Sequence, residues 1–321
     1  MKNWKVMARK VIKYKSREQW LEGRGKGIGA SEAGTVLGLN PFCTPYQLWR
    51  RKKGLDAPEP ENFAMRAGHY LEDAVSLFFR DESGAQIIKA STEDFTILDT
   101  ERPWLRVSPD RTFWRPEATH NEQNKAILEC KTTQLQIDAD NLPKHWFCQI
   151  QMNMGVSGYH DGALAWLTQG REFAYRDIEF DQEFWDWMAE QLTEYWQRYI
   201  VGDEEPPMYT AEDIMIKYPR HTEGKTVTAD GDIMEQLERL KIIKEQQKPL
   251  ADEQKEIEQN LKLFFADAET ITDMQGNTLA TWKAPKPSKK FDQKAWEAAT
   301  PEDERAKWYS EVQGARRLLI K

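Results

Sequence analysis

From Ser31 to Thr168 the chain alternates helical and strand texture, and that alternation narrows the fold more than any other feature. Thr44 to Gly54 opens with a capping box: Thr44 is the N-cap, Pro45 takes the first helical position, Gln47 reaches back, and Gly54 lies past the end. Met65, Leu71, Val75, Phe78 and Phe79 recur at near-helical spacing between Met65 and Glu82, with Gly84 as the stop. Ser31 begins a shorter helical segment that Gly38 ends. Phe95–Asp99, Trp104–Ser108, Phe113–Trp114 and Ala126–Thr132 read as short strands, Leu142–Val156 as a helix, and Gly162–Thr168 as an apolar strand. Helices mixed with one sheet predict an α/β fold: a central mixed β-sheet flanked by helices.

The texture changes after the Trp-rich helix Gln182–Tyr199. Gly202 to Pro207 (GDEEPP) is a polar, proline-ended linker. It divides the chain into residues 1–208 and an accessory region, 209–321. In the latter, Ile243, Leu250, Ile257 and Phe264 stand seven apart, like a coiled-coil seam, although Gln247 and Gln254 interrupt it. Pro249 breaks or kinks a continuous helix, so two helices folded on each other or on the core, or one kinked helix, are expected. A β-hairpin around Gln275-Gly276-Asn277, a lysine-rich loop at Lys283–Lys294 and a last helix from Pro301 follow, with Arg316–Lys321 returning as a strand.

Among the 321 residues, 45 Lys+Arg face 53 Asp+Glu, a net charge of −8, which argues against a non-specific nucleic-acid coat. Basic residues cluster locally, from Lys2 and Lys5 through Arg9, Lys10, Lys13 and Lys15 to Arg17. No apolar run is long enough to cross a membrane, and the basic N-terminus lacks the apolar stretch of a secretory signal. Cys43, Cys130 and Cys148 form no CxxC pair, so a reducing cytoplasm is the expected compartment. The 5 histidines have no zinc spacing with them. Most of the 13 tryptophans, Trp185, Trp187 and Trp196 included, are expected in the core.

Asp110 and the Glu129-Cys130-Lys131 tripeptide carry the chemistry. Residues two apart on a strand share a face, so Glu129 and Lys131 point one way and Cys130 the other. Two carboxylates can hold Mg²⁺ in an oxygen-rich site. A lysine beside them orients the attacking water and neutralises developing charge, or serves as a base if the site depresses its pKa. Three other places bear on that site. Arg24 and Ser31 bracket a glycine-rich segment, Gly25 to Gly29, that is either an anion site at a helix N-terminus or a cap and a loop. Glu72 borders the apolar stripe of its helix and is either solvated or turned toward a site. Gln149 and Gln151 lie on the Trp-containing helix after the E-x-K strand, as surface residues or as supports. Cys130 reads as a small core residue rather than a nucleophile.

In chain order, W-x₃-R (Trp20–Arg24), G-I-x-A-S-E (Gly27–Glu32), G-x₃-E (Gly68–Glu72), S-P-D (Ser108–Asp110), E-x-K and Q-I-Q resemble the λ-type exonuclease, or YqaJ-like viral recombinase, family with its PD-(D/E)xK restriction-endonuclease-like core. The resemblance spans Trp20 to Ile178. It implies that Asp110 and Glu129, with the Cys130 carbonyl, bind the metal: Mg²⁺, two ions per site, Mn²⁺ substituting. It further implies that Lys131 attends the water, that Glu72 lies near the metals, that Gln149 supports the site, and that Arg24, Ser31 and Ser108 contact a 5′-phosphate. The implied activity is 5′→3′ digestion of one strand of a double-stranded DNA end to mononucleotides, leaving 3′ single strands for phage-type recombination. The implied partners are two further copies in a ring-shaped homotrimer and a single-strand annealing protein, in the cytoplasm of a bacterial host. The rival readings are a site-specific endonuclease with the same centre and a catalytically silent DNA-binding module.

Overall fold

The structure is a computed structural model describing residues 9–57, 62–89, 95–310, 314 and 316–320. Lys2 and Lys5 of the basic cluster, and Lys321 of the expected last strand, lie outside them. The chain divides into two compact units, Met1–Lys217 and Tyr218–Lys321. The division falls after Lys217, later than the expected Met208, because the residues following the linker belong to the first unit. Asp213 there is fully buried, accepting from Thr44 Oγ1 at 2.7 Å and from the Tyr209 amide at 3.1 Å.

In chain order the first unit holds β1 (Arg9–Lys13), α1 (Arg17–Gly25), β2 (Ile28–Gly29), α2 (Ala30–Val36), α3 (Pro45–Lys52) and α4 (Phe63–Ser83). Next come β3 (Gln86–Lys89), β4 (Phe95–Asp99), β5 (Leu105–Val107), β6 (Arg111–Trp114) and β7 (Ala126–Thr133). It closes with α5 (Lys144–Ser157), β8 (Asp161–Thr168), β9 (Glu172–Glu179), α6 (Gln182–Tyr195), a π-helical turn at Trp196–Val201, and α7 (Ala211–Lys217). The capping box appears as read: Thr44 Oγ1 accepts the Gln47 amide at 3.1 Å, and Gln47 Oε1 accepts that of Thr44 at 3.3 Å.

The α/β architecture is a mixed sheet flanked by helices, but the strands form two sheets rather than one. A five-stranded sheet runs β3-β6-β7-β8-β9, and a four-stranded sheet runs β1-β4-β5-β2. Strands β7 and β8 are parallel and joined by the α5 crossover, and β2 pairs parallel to β5; the other pairs are antiparallel. Helix α5 lies between the sheets, touching β7 and β8 of one and β4 and β5 of the other. From Ile150 to Ser157 every residue of α5 is buried, as a helix covered on all sides must be. Its Gly155 is required there, since a Cβ would stand 2.3 Å from the Trp185 ring. On the opposite face of the larger sheet, Val75 and Phe79 of α4 pack on Phe113, Leu128 and Ala163.

The second unit contains α8 (Gly231–Phe265), a hairpin of β10 (Thr270–Thr272) and β11 (Thr278–Thr281), α9 (Gln293–Ala299) and α10 (Glu302–Arg305). Helix α8 is one 35-residue helix running through Pro249, not two folded together. The proline removes one backbone donor, to the Glu245 carbonyl, and on an exposed helix solvent satisfies that acceptor. Residues 316–320 form no strand. No helix among the described residues is long and apolar enough to cross a membrane.

Candidate active site

Side chains along β7 alternate between the faces of its sheet. Leu128 and Cys130 enter the core beneath α4, whereas Ile127 joins the core under α5, and Glu129 and Lys131 share that second face. Glu129 is only 1 % exposed. A carboxylate so deeply buried is tolerated only when hydrogen-bonded, and α5 provides the donors. Asn153 Nδ2 donates to Glu129 Oε2 at 2.6 Å, and Gln149 Nε2 donates to Oε1. Lys131 Nζ donates to the same Oε1 at 2.8 Å and to Gln149 Oε1 at 3.0 Å.

Asp110 enters from the turn between β5 and β6, one of the links between the two sheets, and its Oδ2 accepts the Cys130 amide at 2.8 Å. Glu72 approaches from α4, its Oε1 3.3 Å from His69 Nδ1. Burial, then the neighbouring Asp110 charge, pushes the Glu129 carboxyl up to about 8. The same two causes raise Glu72. Burial disfavours the Lys131 ammonium, but Glu129 and Asp110 outweigh it and hold its pKa above the ordinary lysine value. With these partners Lys131 is a charged donor to Glu129 and Gln149. Burial, then Asp110, also raises the Cys130 thiol well above its usual range, consistent with a core residue and unsuited to a nucleophile.

The carboxylate–lysine cluster lines a pocket of about 440 Å³. Arg24, Ser31 and Ser108 line the same pocket. Arg24 Nη2 donates to Ser31 Oγ at 3.1 Å and lies over the Trp20 ring, 4.9 Å from its centroid. Ser108 Oγ donates to the Phe95 carbonyl at 2.6 Å and accepts from Trp20 Nε1 at 3.4 Å. Every singled-out residue of the expected metal and phosphate sets thus lines one pocket, with Glu72 and Gln149. Ser31 is not the helix cap. Gly29 is, and Glu32 Oε2 accepts the Gly29 amide at 2.8 Å.

Gln151, two residues from Gln149, faces away: it donates to the Glu179 carbonyl at 2.8 Å and accepts the Asp181 amide at 3.0 Å. Asn153 takes the place beside Gln149, and its spacing of four was the available signal. Arg17, Trp20, Thr96, Arg106 and Arg111 also line the pocket without having been given a role. No local pattern gathers them, since they come from four different segments, α1, β4, β5 and β6.

A mixed-sheet α/β unit whose one pocket is lined by a buried glutamate, two half-buried carboxylates, a charged lysine and an arginine–serine pair defines the class of protein. Residues 19–160 match the family model of the YqaJ-like viral recombinase domain. The chain is 31 % identical over 290 residues to the uncharacterized protein YqaJ of Bacillus subtilis strain 168, covering 87 % of this chain and 86 % of that one. It belongs to the YqaJ-like viral recombinase family. Among solved structures it is similar to the alkaline exonuclease LHK-Exo of Laribacter hongkongensis (TM-score 0.41, 14 % identity, 62 % of this chain and 96 % of that chain). It is also similar to a phage-related exonuclease of Haemophilus somnus 129PT (TM-score 0.39, 12 % identity, 55 % and 94 %).

Proposed function

We propose that this chain is a divalent-metal-dependent nuclease that digests one strand of a double-stranded DNA end in the 5′→3′ direction. The observation that carries the reading is the single pocket joining Glu129, Asp110 and Lys131 to the Arg24–Ser31 pair. Membership of a viral recombinase family supports it, because strand annealing consumes the 3′ single strands such digestion leaves.

The residues present fit Mg²⁺. Asp110, Glu129 and the Cys130 carbonyl are hard oxygen donors, and Mg²⁺ is ordinarily held by one or two carboxylates completed by water and phosphate. Among the described residues no three His, Cys, Asp or Glu side chains form a metal group by themselves; the set of two carboxylates and the carbonyl is the one the family resemblance implies. Burial and mutual repulsion raise the proton affinity of Glu129, and a cation at this position offsets both. Bound there, the metal supplies charge against the phosphate oxygens and lowers the pKa of a water.

The remaining steps belong to the chain. Lys131 donates hydrogen bonds to the incoming water and the scissile phosphate while Gln149 holds its ammonium against Glu129. Arg24 and Ser31 bind the terminal 5′-phosphate by charge and hydrogen bond. Hydrolysis breaks the bond from phosphorus to the 3′-oxygen, leaves phosphate on the next 5′ end, and so regenerates the ligand of that pair after each nucleotide. Forward movement then needs no ATP. By the family resemblance the enzyme works as a ring of three copies with an annealing protein in the host cytoplasm.

The test is digestion, with Mg²⁺ or EDTA, of three duplexes: linear with 5′-phosphate, linear with 5′-hydroxyl, and covalently closed circular. Metal-dependent loss of one strand from the phosphorylated linear duplex, with shorter digestion from the hydroxyl end, is expected. Cutting of the circle would replace this reading with an endonuclease, and no cleavage anywhere would leave a binding module.

A further inference from the structure

Helix α8 carries an apolar seam that is half-buried at Leu240 and Ile243 and exposed from Leu250 to Phe264. Ile243, Leu250, Ile257 and Phe264 stand seven apart, and Ile233, Leu240 and Leu261 fall on the complementary positions of the same 3–4 repeat. Gln236, Gln247 and Gln254 complete the repeat from 233 to 264. Leu250 is 64 % exposed, Ile257 52 % and Phe264 75 %. Among the described residues of this unit, no helix or strand packs along α8. Helices in water owe most of their stability to packing of an apolar face. A seam with a seven-residue period accepts knobs from a helix of the same period, and this chain supplies one.

The flanking charges choose the orientation. In a parallel, in-register pair, Arg239 of one copy would meet Lys244 of the other, and Glu253 would meet Glu258, both like-charged. Reversing one helix places Ile233 opposite Phe264, Leu240 opposite Ile257 and Gln247 opposite Leu250 of the second copy. Arg239 then lies beside Asn260 and Glu253 beside Gln246, so neither repulsion remains. Each glutamine now faces an aliphatic residue, and no layer of the seam is wholly polar. Pro249 falls on the face away from the seam, where its ring meets no partner.

We propose that α8 pairs antiparallel with α8 of a second copy of this chain. This does not depend on the nuclease reading. The test is the solution mass of the full chain by light scattering, compared with Leu250→Glu/Ile257→Glu at matched concentration. Both residues are exposed in the single chain, so the fold should survive, and far-UV circular dichroism verifies it. Whatever assembly the first unit makes, the mass should halve in the double variant. An unchanged mass would overturn the pairing. Orientation is read by oxidation on a non-reducing gel: Ile233→Cys/Phe264→Cys should give a covalent dimer, and Phe264→Cys alone should not. Cross-linking through Phe264→Cys alone would overturn the antiparallel register.

Discussion

Lys131→Ala takes the ammonium from Glu129 and leaves the Arg24–Ser31 pair intact. Single-turnover cleavage of a 5′-phosphorylated duplex should fall by about 100-fold or more, while fluorescence anisotropy with the same duplex reports unchanged affinity. Asn153→Ala withdraws the donor to Glu129 Oε2 and should lower the unfolding free energy by about 1–3 kcal/mol, measured in urea. The Glu129 carboxyl binds its proton more tightly folded than unfolded. In EDTA its favourable contribution is therefore complete below its ordinary value and disappears as the pH rises through about 8. The melting temperature in EDTA should decline between about pH 5 and about pH 9, and Mg²⁺ should restore it most at the alkaline end. A flat profile, or no response to metal, would remove Glu129 from the metal set. At this scale the sequence was readable where a period decides orientation. Strand alternation put Glu129 and Lys131 on one face, but the pairing of Gln149 with Gln151 ignored the helical period that brings in Asn153.

Elements were legible according to their place in the sheets. Strands β4, β5, β6, β7 and β8 lie inside their sheets and were visible as apolar runs, whereas β1, β2, β3 and β9 are all edges. The edge strand Glu172–Glu179 (EFAYRDIE) is paired on one side and partly solvated, so charged residues interrupt its apolar pattern, and β1, β2 and β3 are too short to stand out. Helix α5 was read from its texture, yet its burial between two sheets was not. The contact of Gly155 with Trp185 marks that burial, and Gly155→Ala should cost about 1–3 kcal/mol through overpacking. Because α5 also carries Gln149 and Asn153, cleavage should fall in the same variant under conditions where it is fully folded. A stable, fully active Gly155→Ala protein would show that the helix can shift without moving the site.

The two units make the chain divisible at a stated place. A fragment ending at Lys217 retains α7 and the buried Asp213, whereas one ending at Met208 leaves Thr44 without its partner and uncovers apolar surface behind it. The longer fragment should melt near the temperature of the first transition of the full chain, and the shorter one several degrees lower; equal melting would return the boundary to the linker. By itself the sequence determined helices α2 to α6, the inner strands, the shared face of Glu129 and Lys131, and the change of texture near residue 202, whereas α1, α7 and α9 were not read from it. Those features follow from capping and side-chain periods that act within a few residues. Only the tertiary structure decided that the strands split between two sheets, that Asp110 reaches β7 from a turn linking them, that Asn153 supports Glu129 from α5, and that Glu72, Gln149 and the Arg24–Ser31 pair meet around one pocket. Each of those depends on segments far apart in the chain closing on one another, and no local spacing records which distant segment will arrive.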